Sequence, residues 1–305
     1  YILAAISIFI WGITFVSTKA LLNYFSSLEI MFIRYTAAYI GLWIIRPKIL
    51  KLNSKKDEII FSLAGLTGVT LYQFTENVAI NFTTASNVSI IVSICPMFTA
   101  IISQLFLKEK HINFWFVIGF IIALTGIALV SFNGKTEFQL NPKGDFLALV
   151  AGISWGFYSM FVSIINKKGY ESILCTRRYF FYAIIWMIPL LIWGALKKTP
   201  DATIFVNLSV QENLLRFARP MNWVNLLFLG FGASAFCFVA WNIVCNSLGT
   251  VKATVGIYLI PVVTIIFAFI FLGEKITWMG LLGTALTITG LFLSGKKTAT
   301  PENSN

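Results

Sequence analysis

The sequence predicts an all-α polytopic membrane protein with ten transmembrane helices arranged as two inverted five-helix repeats. Three observations support this fold class: the composition, the length of the apolar runs, and residues that recur in the same order in both halves. Of the 305 residues, 58% are hydrophobic and 11% are charged, against about 25% charged residues in a soluble domain. The abundant aromatic residues and glycines are typical of lipid-facing helices that contact one another through small residues.

The net charge of +11 raises the alternative of a nucleic-acid partner. Lys and Arg instead lie in short loops between apolar runs, as the positive-inside rule describes, so no nucleic-acid partner is expected. The four cysteines lack a metal-binding spacing, and the sequence contains no phosphate-binding G-x-x-x-x-G-K-[ST] loop. We therefore expect no metal, no cofactor and no intrinsic ATPase.

Ten apolar runs are long enough to cross a membrane, for which about 20 mainly apolar residues suffice. The predicted helices cover residues 1–20, 28–46, 58–79, 84–107, 113–132, 145–165, 172–195, 222–245, 251–272 and 276–294. The connection 197–221 is long, and we interpret part of it as a segment at the membrane interface. The polar tail 296–305 is expected to be disordered and cytoplasmic.

An internal repeat relates the two halves helix by helix. The matching residues are Trp11-Gly12 with Trp155-Gly156, Arg34-Tyr35 with Arg178-Tyr179, Asn77 with Asn242, Pro96 with Pro261, Glu109-Lys110 with Glu274-Lys275, and Gly119 and Gly126 with Gly283 and Gly290. Their offset is 144 residues at first, 165 after the long connection and 164 for the glycines. Because five is an odd number, the second half enters the membrane from the opposite side. Residues 1–134 and 145–295 are thus predicted to form an inverted repeat, as in many transporters.

The loop charges orient the chain. With the N-terminus inside, twelve Lys and Arg residues fall in inner loops and seven in outer loops, and four of those seven belong to the long connection, which counts for less. Both termini are therefore expected on the cytoplasmic side.

These motifs also carry a resemblance. The Trp-Gly pairs, the openings "FIRYTAAYIGL" and "TRRYFFYAII", and the stretch "ENVAINFTTASNVSIIVSICPMFTAIISQLFLKEK" together resemble the EamA-type transporters of the drug/metabolite transporter superfamily. The most specific feature is a Pro followed thirteen residues later by Glu-Lys, present in both halves. The resemblance implies a ten-helix, two-fold pseudosymmetric carrier of small organic metabolites, here in a bacterial inner (plasma) membrane.

Glu76 is the most informative single residue, because a charge at membrane depth costs about 2.5–3.5 kcal/mol on insertion scales. Its repeat counterpart is Trp241, so the fold does not require this charge in both halves. Two interpretations are open. Glu76 lines a central cavity, where it attracts a cationic group or carries a proton, or it is an interfacial carboxylate that reaches headgroup water. Helical spacing places Tyr72, Gln73 and Asn77 near it.

The other cavity candidates are aromatic and amide side chains, a mixture common in small-molecule sites. The full set of candidates is Glu76, Trp11, Tyr72, Gln73, Asn77, Asn87, Trp155, Tyr158, Trp241, Asn242 and Tyr258. For each aromatic the alternative is packing or a lipid belt, and for each amide it is a bond between helices. Gly12, Pro96, Gly156 and Pro261 are hinge candidates, since glycine permits close approach or a kink and proline removes a backbone hydrogen bond. A tolerated kink is the alternative at the prolines.

Three basic residues in the predicted helices have structural interpretations. Arg34 and Arg178 are repeat mates, and their recurrence favours an architectural role such as pairing with a helix end or a headgroup. Lys19 is expected to snorkel outward or to pair with Glu29 or Glu76.

No catalytic residue is predicted. Gly152-Ile-Ser-Trp-Gly156 fits the G-x-S-x-G nucleophile elbow, but that motif needs a strand–turn–helix and a histidine base. The stretch lies inside a predicted membrane helix, and the single histidine, His111, is in a loop. The sequence therefore favours a secondary transporter over an enzyme. The leading hypothesis is export of small polar or zwitterionic metabolites such as amino acids by alternating access, and the alternative is a broad drug or organic-cation exporter. The partners are then a small-molecule metabolite, membrane lipids and, if Glu76 titrates, a coupled proton; the oligomeric state stays open.

Overall fold

A computed structural model of the chain describes residues 1–110, 112–132, 142–196, 205–275 and 277–295. Within those ranges every regular element is a helix and no strand occurs. His111, the end of the first predicted repeat at residue 134 and the predicted disordered tail 296–305 lie outside the described residues.

The first half contains five helical segments. They are α1 (Ile2–Leu21), α2 (Ser27–Ile45), α3 (Lys55–Gly65, a π-helical stretch Leu66–Leu71, and Tyr72–Phe82), α4 (Ala85–Val92 and Cys95–Leu107) and α5 (Phe114–Phe132). A capping box starts α2, in which the Ser26 and Glu29 side chains accept hydrogen bonds from each other's backbone N–H. Pro96 stands in the first turn of the second part of α4, directly after the break in that helix.

The second half repeats this pattern with one addition. Its segments are α6 (Pro142–Asn166), α7 (Ser172–Leu196), the short helix α8 (Val210–Phe217), α9 (Pro220–Leu227, a π-helical stretch Phe228–Phe236, and Cys237–Leu248), α10 (Thr250–Thr254, a 3-10 stretch Val255–Leu259, and Ile260–Leu272) and α11 (Trp278–Ser294). Helix α8 lies in the connection interpreted as interfacial. The long helices begin and end within about three residues of the predicted bounds.

Seven of the helices in the described ranges are long and apolar enough to cross a membrane. They are α1, α2, α4, α6, α7, α9 and α10, while α11 and residues 114–129 of α5 are shorter apolar helices. The chain is therefore a helical membrane protein.

Glycines bring α5 and α11 into close contact. A Cβ atom added to Gly119 would lie 2.3 Å from the Gly290 carbonyl oxygen, and one added to Gly126 would lie 2.5 Å from the Gly283 carbonyl oxygen. Any larger residue would force the two backbones apart, which is the role of small residues between membrane helices. The four glycines are the repeat mates identified in the sequence.

Ion pairs join the halves at the loop ends. The Lys168 ammonium lies 2.5 Å from the Asp57 carboxylate, which also accepts a 2.6 Å hydrogen bond from the Tyr170 hydroxyl. Arg46 pairs with Glu171 at 2.8 Å. These contacts connect the α2–α3 loop and the start of α3 with the α6–α7 loop. Lys168 and then Tyr170, as hydrogen-bond donors, hold the pKa of Asp57 below its usual range.

At the other end of the molecule, Glu29 holds α8 against the start of α2. Its carboxylate accepts two 2.8 Å hydrogen bonds from the Arg216 guanidinium and one from the backbone N–H of Asn207. The alternative that Lys19 pairs with Glu29 or Glu76 is not what the structure shows. Lys19 instead donates to the carbonyl oxygens of Ile80 and Thr83, where the last turn of α3 leaves acceptors without helical partners.

Candidate substrate cavity

A small cavity of about 30 Å³ lies between the two halves. It is bounded by α1, α2, α3, α4, α6, α9 and α10. The polar lining residues are Thr14, Arg34, Gln73, Glu76, Ser89 and Ser93, the aromatic ones are Trp11, Phe15, Tyr72, Trp155 and Phe238, and the remainder are Val92, Cys95, Ile257 and Ile260.

Two buried side chains of opposite charge stand on the polar wall. Glu76 is 2% exposed and Arg34 is 1% exposed. The Arg34 guanidinium donates a 2.7 Å hydrogen bond to the Gln73 side-chain oxygen and a 2.9 Å bond to the Ser234 hydroxyl. Arg34 thus has the hydrogen-bond partners that a charged group at this depth requires. Glu76 lines the same wall as Arg34 and Tyr72.

The backbone of α3 explains why these groups face the cavity. Tyr72, Gln73 and Glu76 lie in the turn that follows the π-helical stretch, and spacings of three and four residues place them on one face. The corresponding π-helical stretch of α9 contains Ser234, the second partner of Arg34. Such π-helical insertions change the direction of the following side chains and are frequent at functional sites.

The opposite wall is aromatic. The Trp11 and Trp155 rings meet edge to face with centroids 5.6 Å apart, and Tyr72 lies 4.9 Å from Trp155. Phe238 lies within about 6 Å of both tryptophans. The Trp11 indole N–H donates to the Ala233 carbonyl, whereas that of Trp155 has no partner among the described residues. Trp155 therefore offers an unused buried donor beside the cavity.

Proline breaks lie at the same place in both halves. Pro96 and Pro261 have no N–H to bond the carbonyl four residues earlier, which belongs to Val92 in one half and Ile257 in the other. Both of those residues line the cavity. The two discontinuous helices α4 and α10 therefore present their interrupted turns to the same space.

The structure places Gly12 and Gly156 at close helix contacts. A Cβ atom added to Gly12 would lie 2.5 Å from the Val263 side chain, and one added to Gly156 would lie 2.8 Å from the Ile102 side chain. Helices α1 and α6 run without a break at these glycines.

The remaining candidates lie around the cavity but do not line it. Trp241 packs behind Trp11 and Tyr158 packs against Trp155, each with centroids 5.0 Å apart. The other four have partners outside the lining: Asn77 bonds the Ser27 carbonyl, Asn242 bonds Thr176, Asn87 bonds Thr83 near the start of α4, and Tyr258 packs on Phe292.

Arg34 is the main residue that sequence reasoning did not place in the cavity. Its repeat mate Arg178 lies elsewhere, bonded to Glu58 at the start of α3. Because an arginine recurs in both halves, the sequence favoured the same architectural role for both, although only Arg34 lines the cavity. Phe238 was also missed as a lining residue, although its status as the repeat counterpart of Gln73 was a usable signal.

The side chains that line the cavity are of the kinds that bind a small molecule with both charges and an apolar part. Arg34 suits a carboxylate, Glu76 suits an ammonium group, and the aromatic wall suits apolar surface. Within the described residues, no group of three or more His, Cys, Asp or Glu side chains is placed to hold a metal ion.

Comparison with known proteins identifies the family. The sequence profile of the EamA-like transporter family matches residues 1–132 and again residues 142–295. The chain belongs to the EamA-like transporter family. This confirms the resemblance inferred from the Trp-Gly and Pro…Glu-Lys motifs, and it points to a transporter rather than an enzyme.

Curated relatives of this EamA-like protein are also named as transporters. A protein of Archaeoglobus fulgidus named "Uncharacterized transporter" is 27% identical over 301 residues, covering 97% of both chains. "Uncharacterized transporter YdfC" of Bacillus subtilis is 26% identical over 79% of this chain and 72% of its own. A "Probable terminal-alkyne amino-acid exporter" of Streptantibioticus cattleyicolor is 23% identical over 94% of this chain and 90% of its own. A crystal structure that is 14% identical shares the fold, with a TM-score of 0.64 over 96% of this chain and 94% of that one.

Proposed function

We propose that this EamA-like protein is a secondary transporter that exports small polar or zwitterionic metabolites, such as amino acids, by alternating access. The observation that carries the proposal is the cavity in which buried Arg34 and Glu76 face the aromatic wall around Trp11 and Trp155. A zwitterion can be held at two points there, because its carboxylate and its ammonium group each meet a side chain of opposite charge.

The name of one relative supports the same substrate class. The Streptantibioticus cattleyicolor protein is named a probable amino-acid exporter and aligns along nearly the whole chain. At 23% identity this supports a shared mode of binding more than a shared substrate.

The alternative is a broad exporter of drugs or organic cations. Glu76 and the aromatic wall would suit a cation, since cations bind over aromatic faces. Arg34 disfavours that alternative, because a second cation close to a buried guanidinium is repelled. The zwitterion proposal therefore accounts for more of the lining.

We further propose that the chain crosses the membrane ten times, as repeats 1–134 and 145–295 of opposite orientation, in a bacterial inner membrane with both termini cytoplasmic. The two profile matches and the matching positions of the proline breaks and π-helical stretches support this arrangement. The α3–α4 turn and the α9–α10 turn would then lie at opposite ends of the molecule, outer and inner respectively.

Glu76 has two roles open to it in this cycle. It holds the ammonium group of the substrate, or it accepts a proton in exchange for the substrate. The two roles differ in their consequence, since only the second makes transport depend on a proton gradient.

Counterflow in proteoliposomes tests the proposal. Vesicles loaded with an unlabelled amino acid should take up the labelled form transiently and saturably, whereas an organic cation such as tetraphenylphosphonium should neither be taken up nor compete. Saturable uptake of the cation alone would favour the alternative. Flux that does not saturate with either compound would contradict a carrier mechanism.

A further inference from the structure

Two charged side chains, one from a loop and one from another helix, bond the backbone of the turn between α3 and α4. Glu274, from the α10–α11 loop, accepts hydrogen bonds from the backbone N–H groups of Ala85 and Ser86 and from the Ser86 hydroxyl, at 2.8, 3.2 and 2.5 Å. Lys19 of α1 donates to the carbonyl oxygens of Ile80 and Thr83 on the same turn. Residues 80–86 are here called the latched turn.

Glu274 completes the hydrogen bonding of the first turn of α4. The first N–H groups of a helix have no partner within it. Here the side chain of Thr84 takes the N–H of Asn87, and Glu274 takes those of Ala85 and Ser86. A carboxylate at this position is also favoured by the helix dipole. The contact between the α10–α11 loop and α4 therefore stabilises the first turn of α4.

The repeat gives every member of this arrangement a counterpart. At offsets of 144 and 165 residues, the mates of Lys19, Ile80, Thr83, Ala85, Ser86 and Glu274 are Ser163, Cys245, Leu248, Thr250, Val251 and Glu109. All six mates line one groove of about 380 Å³. Residues 245–251 are here called the grooved turn. Glu109, in the α4–α5 loop, lines the same groove and is paired with Lys167 at 3.4 Å.

The first turn of α10 lacks the side-chain cap that α4 has at the corresponding position. The counterpart of the capping residue Thr84 is Gly249, which has no side chain and a φ of +82°. It therefore cannot cap the N–H of Lys252, the counterpart of the Asn87 N–H that Thr84 caps. The N–H groups of Thr250 and Val251 point to the end of the molecule at which Glu109 stands, and the two residues share the groove with it.

We infer that Glu274 and Glu109 are alternating latches: when Glu274 leaves the latched turn, Glu109 closes onto the N–H groups of Thr250 and Val251. The inference rests on the proposed alternating access, in which one end closes as the other opens. It adds the residues that close each end. It also assigns the repeated Glu-Lys motif to the conformational cycle rather than to substrate binding.

The closed state at each end is then a capped helix start, and the open state is an uncapped one. A ligand or mutation that removes one cap shifts the population toward the state in which the other cap forms. A cap that only stabilised its own turn would produce no change at the distant turn. This reciprocity separates a latch from a local stabilising contact.

Hydrogen exchange of the purified protein in lipid nanodiscs, without substrate, measures both turns at once. In the unmodified chain, peptides covering 84–88 should exchange more slowly than those covering 249–253. Glu274→Ala should speed exchange at 84–88 by about tenfold, the factor for about 1.4 kcal/mol, and slow exchange at 249–253. Glu109→Ala should leave 84–88 protected and should not slow 249–253. Glu212→Ala, which removes a carboxylate from the start of α8, is the matched control and should change neither turn.

Lys19→Met provides a second route if Glu274→Ala folds poorly, since it weakens the same turn from another helix. It should give the same reciprocal change. Faster exchange at 84–88 with no slowing at 249–253 in both variants would reduce Glu274 to a local cap and overturn the inference. Because no substrate is used, the outcome is separate from counterflow. If exchange changes in opposite directions at the two turns but amino-acid counterflow fails, only the substrate proposal is contradicted. If counterflow occurs but the two turns do not change in opposite directions, only the latch inference is contradicted.

Discussion

Trp11 and Trp155, which occupy the same position in the two halves, contact each other edge to face with ring centroids 5.6 Å apart. The contact crosses the boundary between the halves and forms part of the cavity wall. Edge-to-face pairs contribute about 0.5–1.5 kcal/mol beyond their burial. Both rings therefore serve as a wall of the cavity and as a joint between the halves.

Replacing either tryptophan should weaken transport more than folding. Trp11→Ala and Trp155→Ala remove the wall on which the apolar part of the substrate rests, so we expect the KM in counterflow to rise about tenfold, as for the loss of about 1.4 kcal/mol. The amount of folded protein, measured by fluorescence-detected size exclusion, should fall less. Trp193→Ala, an exposed tryptophan of α7, is the control. Normal transport per folded molecule in both cavity variants would leave packing as the only role.

Arg34 should determine the preference for zwitterions. Arg34→Gln removes the cation proposed to bind the carboxylate of the substrate. Amino-acid transport should therefore fall by about tenfold to a hundredfold, as for the loss of a charged hydrogen bond of about 1.5–3 kcal/mol. Arg178→Gln changes the repeat mate outside the cavity and should have a smaller effect on transport. Equal losses of transport in the two variants would indicate that Arg34 has the same architectural role as Arg178. The assay is initial rates over a range of substrate concentrations.

Glu76→Gln keeps the shape of the side chain and removes its charge. Transport should fall far more than the yield of folded protein, because the ammonium group or the proton loses its partner at membrane depth. If Glu76 carries a proton, the variant should also lose the dependence of transport on the pH gradient. Initial rates measured with and without a gradient separate the two roles. Glu212→Gln is the matched control. Unchanged transport at every pH tested would falsify the cavity role and leave an interfacial carboxylate.

The ion pair between Asp57 and Lys168 should make the thermal stability of the protein depend on pH in the acidic range. Hydrogen bonds from Lys168 and Tyr170 lower the pKa of Asp57 in the folded state. Its contribution is therefore complete above the unfolded pKa, near 4, and is lost as the pH falls through the lower folded pKa. The difference in Tm between the unmodified protein and Asp57→Asn should thus shrink as the pH drops from 6 to below 4. A difference that stays constant over that range would contradict the ion pair.

The proposed topology can be tested with reporter fusions. Five helices separate the N-terminus from residue 134, and ten separate it from residue 297, so fusions after Gly134 and after Lys297 should report opposite sides of the membrane. A fusion after Lys51, in the loop between α2 and α3, should match the one after Lys297. Finding the 134 and 297 fusions on the same side would break the inverted arrangement.

The sequence predicted the helices and part of the cavity because those features are local or repeated. Apolar runs set the helix bounds, and the cost of a buried charge drew attention to Glu76. The partners of Arg34 and Lys19 were not predictable in the same way. Arg34 bonds Ser234, 200 positions away, and Lys19 bonds the end of another helix. Such pairings depend on the angles and positions at which the helices cross, and the periodicity of a sequence does not determine these.

The π-helical stretches were also missed, for a related reason. Leu66–Leu71 and Phe228–Phe236 have the composition of ordinary apolar helix. Their shape depends on neighbours: a Cβ atom added to Gly68 would meet the Tyr158 ring at 2.1 Å, and one added to Gly230 would meet the Ala37 side chain at 3.1 Å. Glycines in both stretches were visible in the sequence, but the rings and backbones that press on them were not.

The close contact of Gly119 with Gly290 and of Gly126 with Gly283 has a consequence for how the two halves can associate. Gly119 touches Gly290, the repeat mate of Gly126, and Gly126 touches Gly283, the repeat mate of Gly119. The same surface of each half therefore fits the corresponding surface of the other. Two separate copies of one half could associate through that surface as a C2 dimer, as isologous interfaces do. A linker that joined two such copies would leave this interface unchanged, because both copies use the same residues in it.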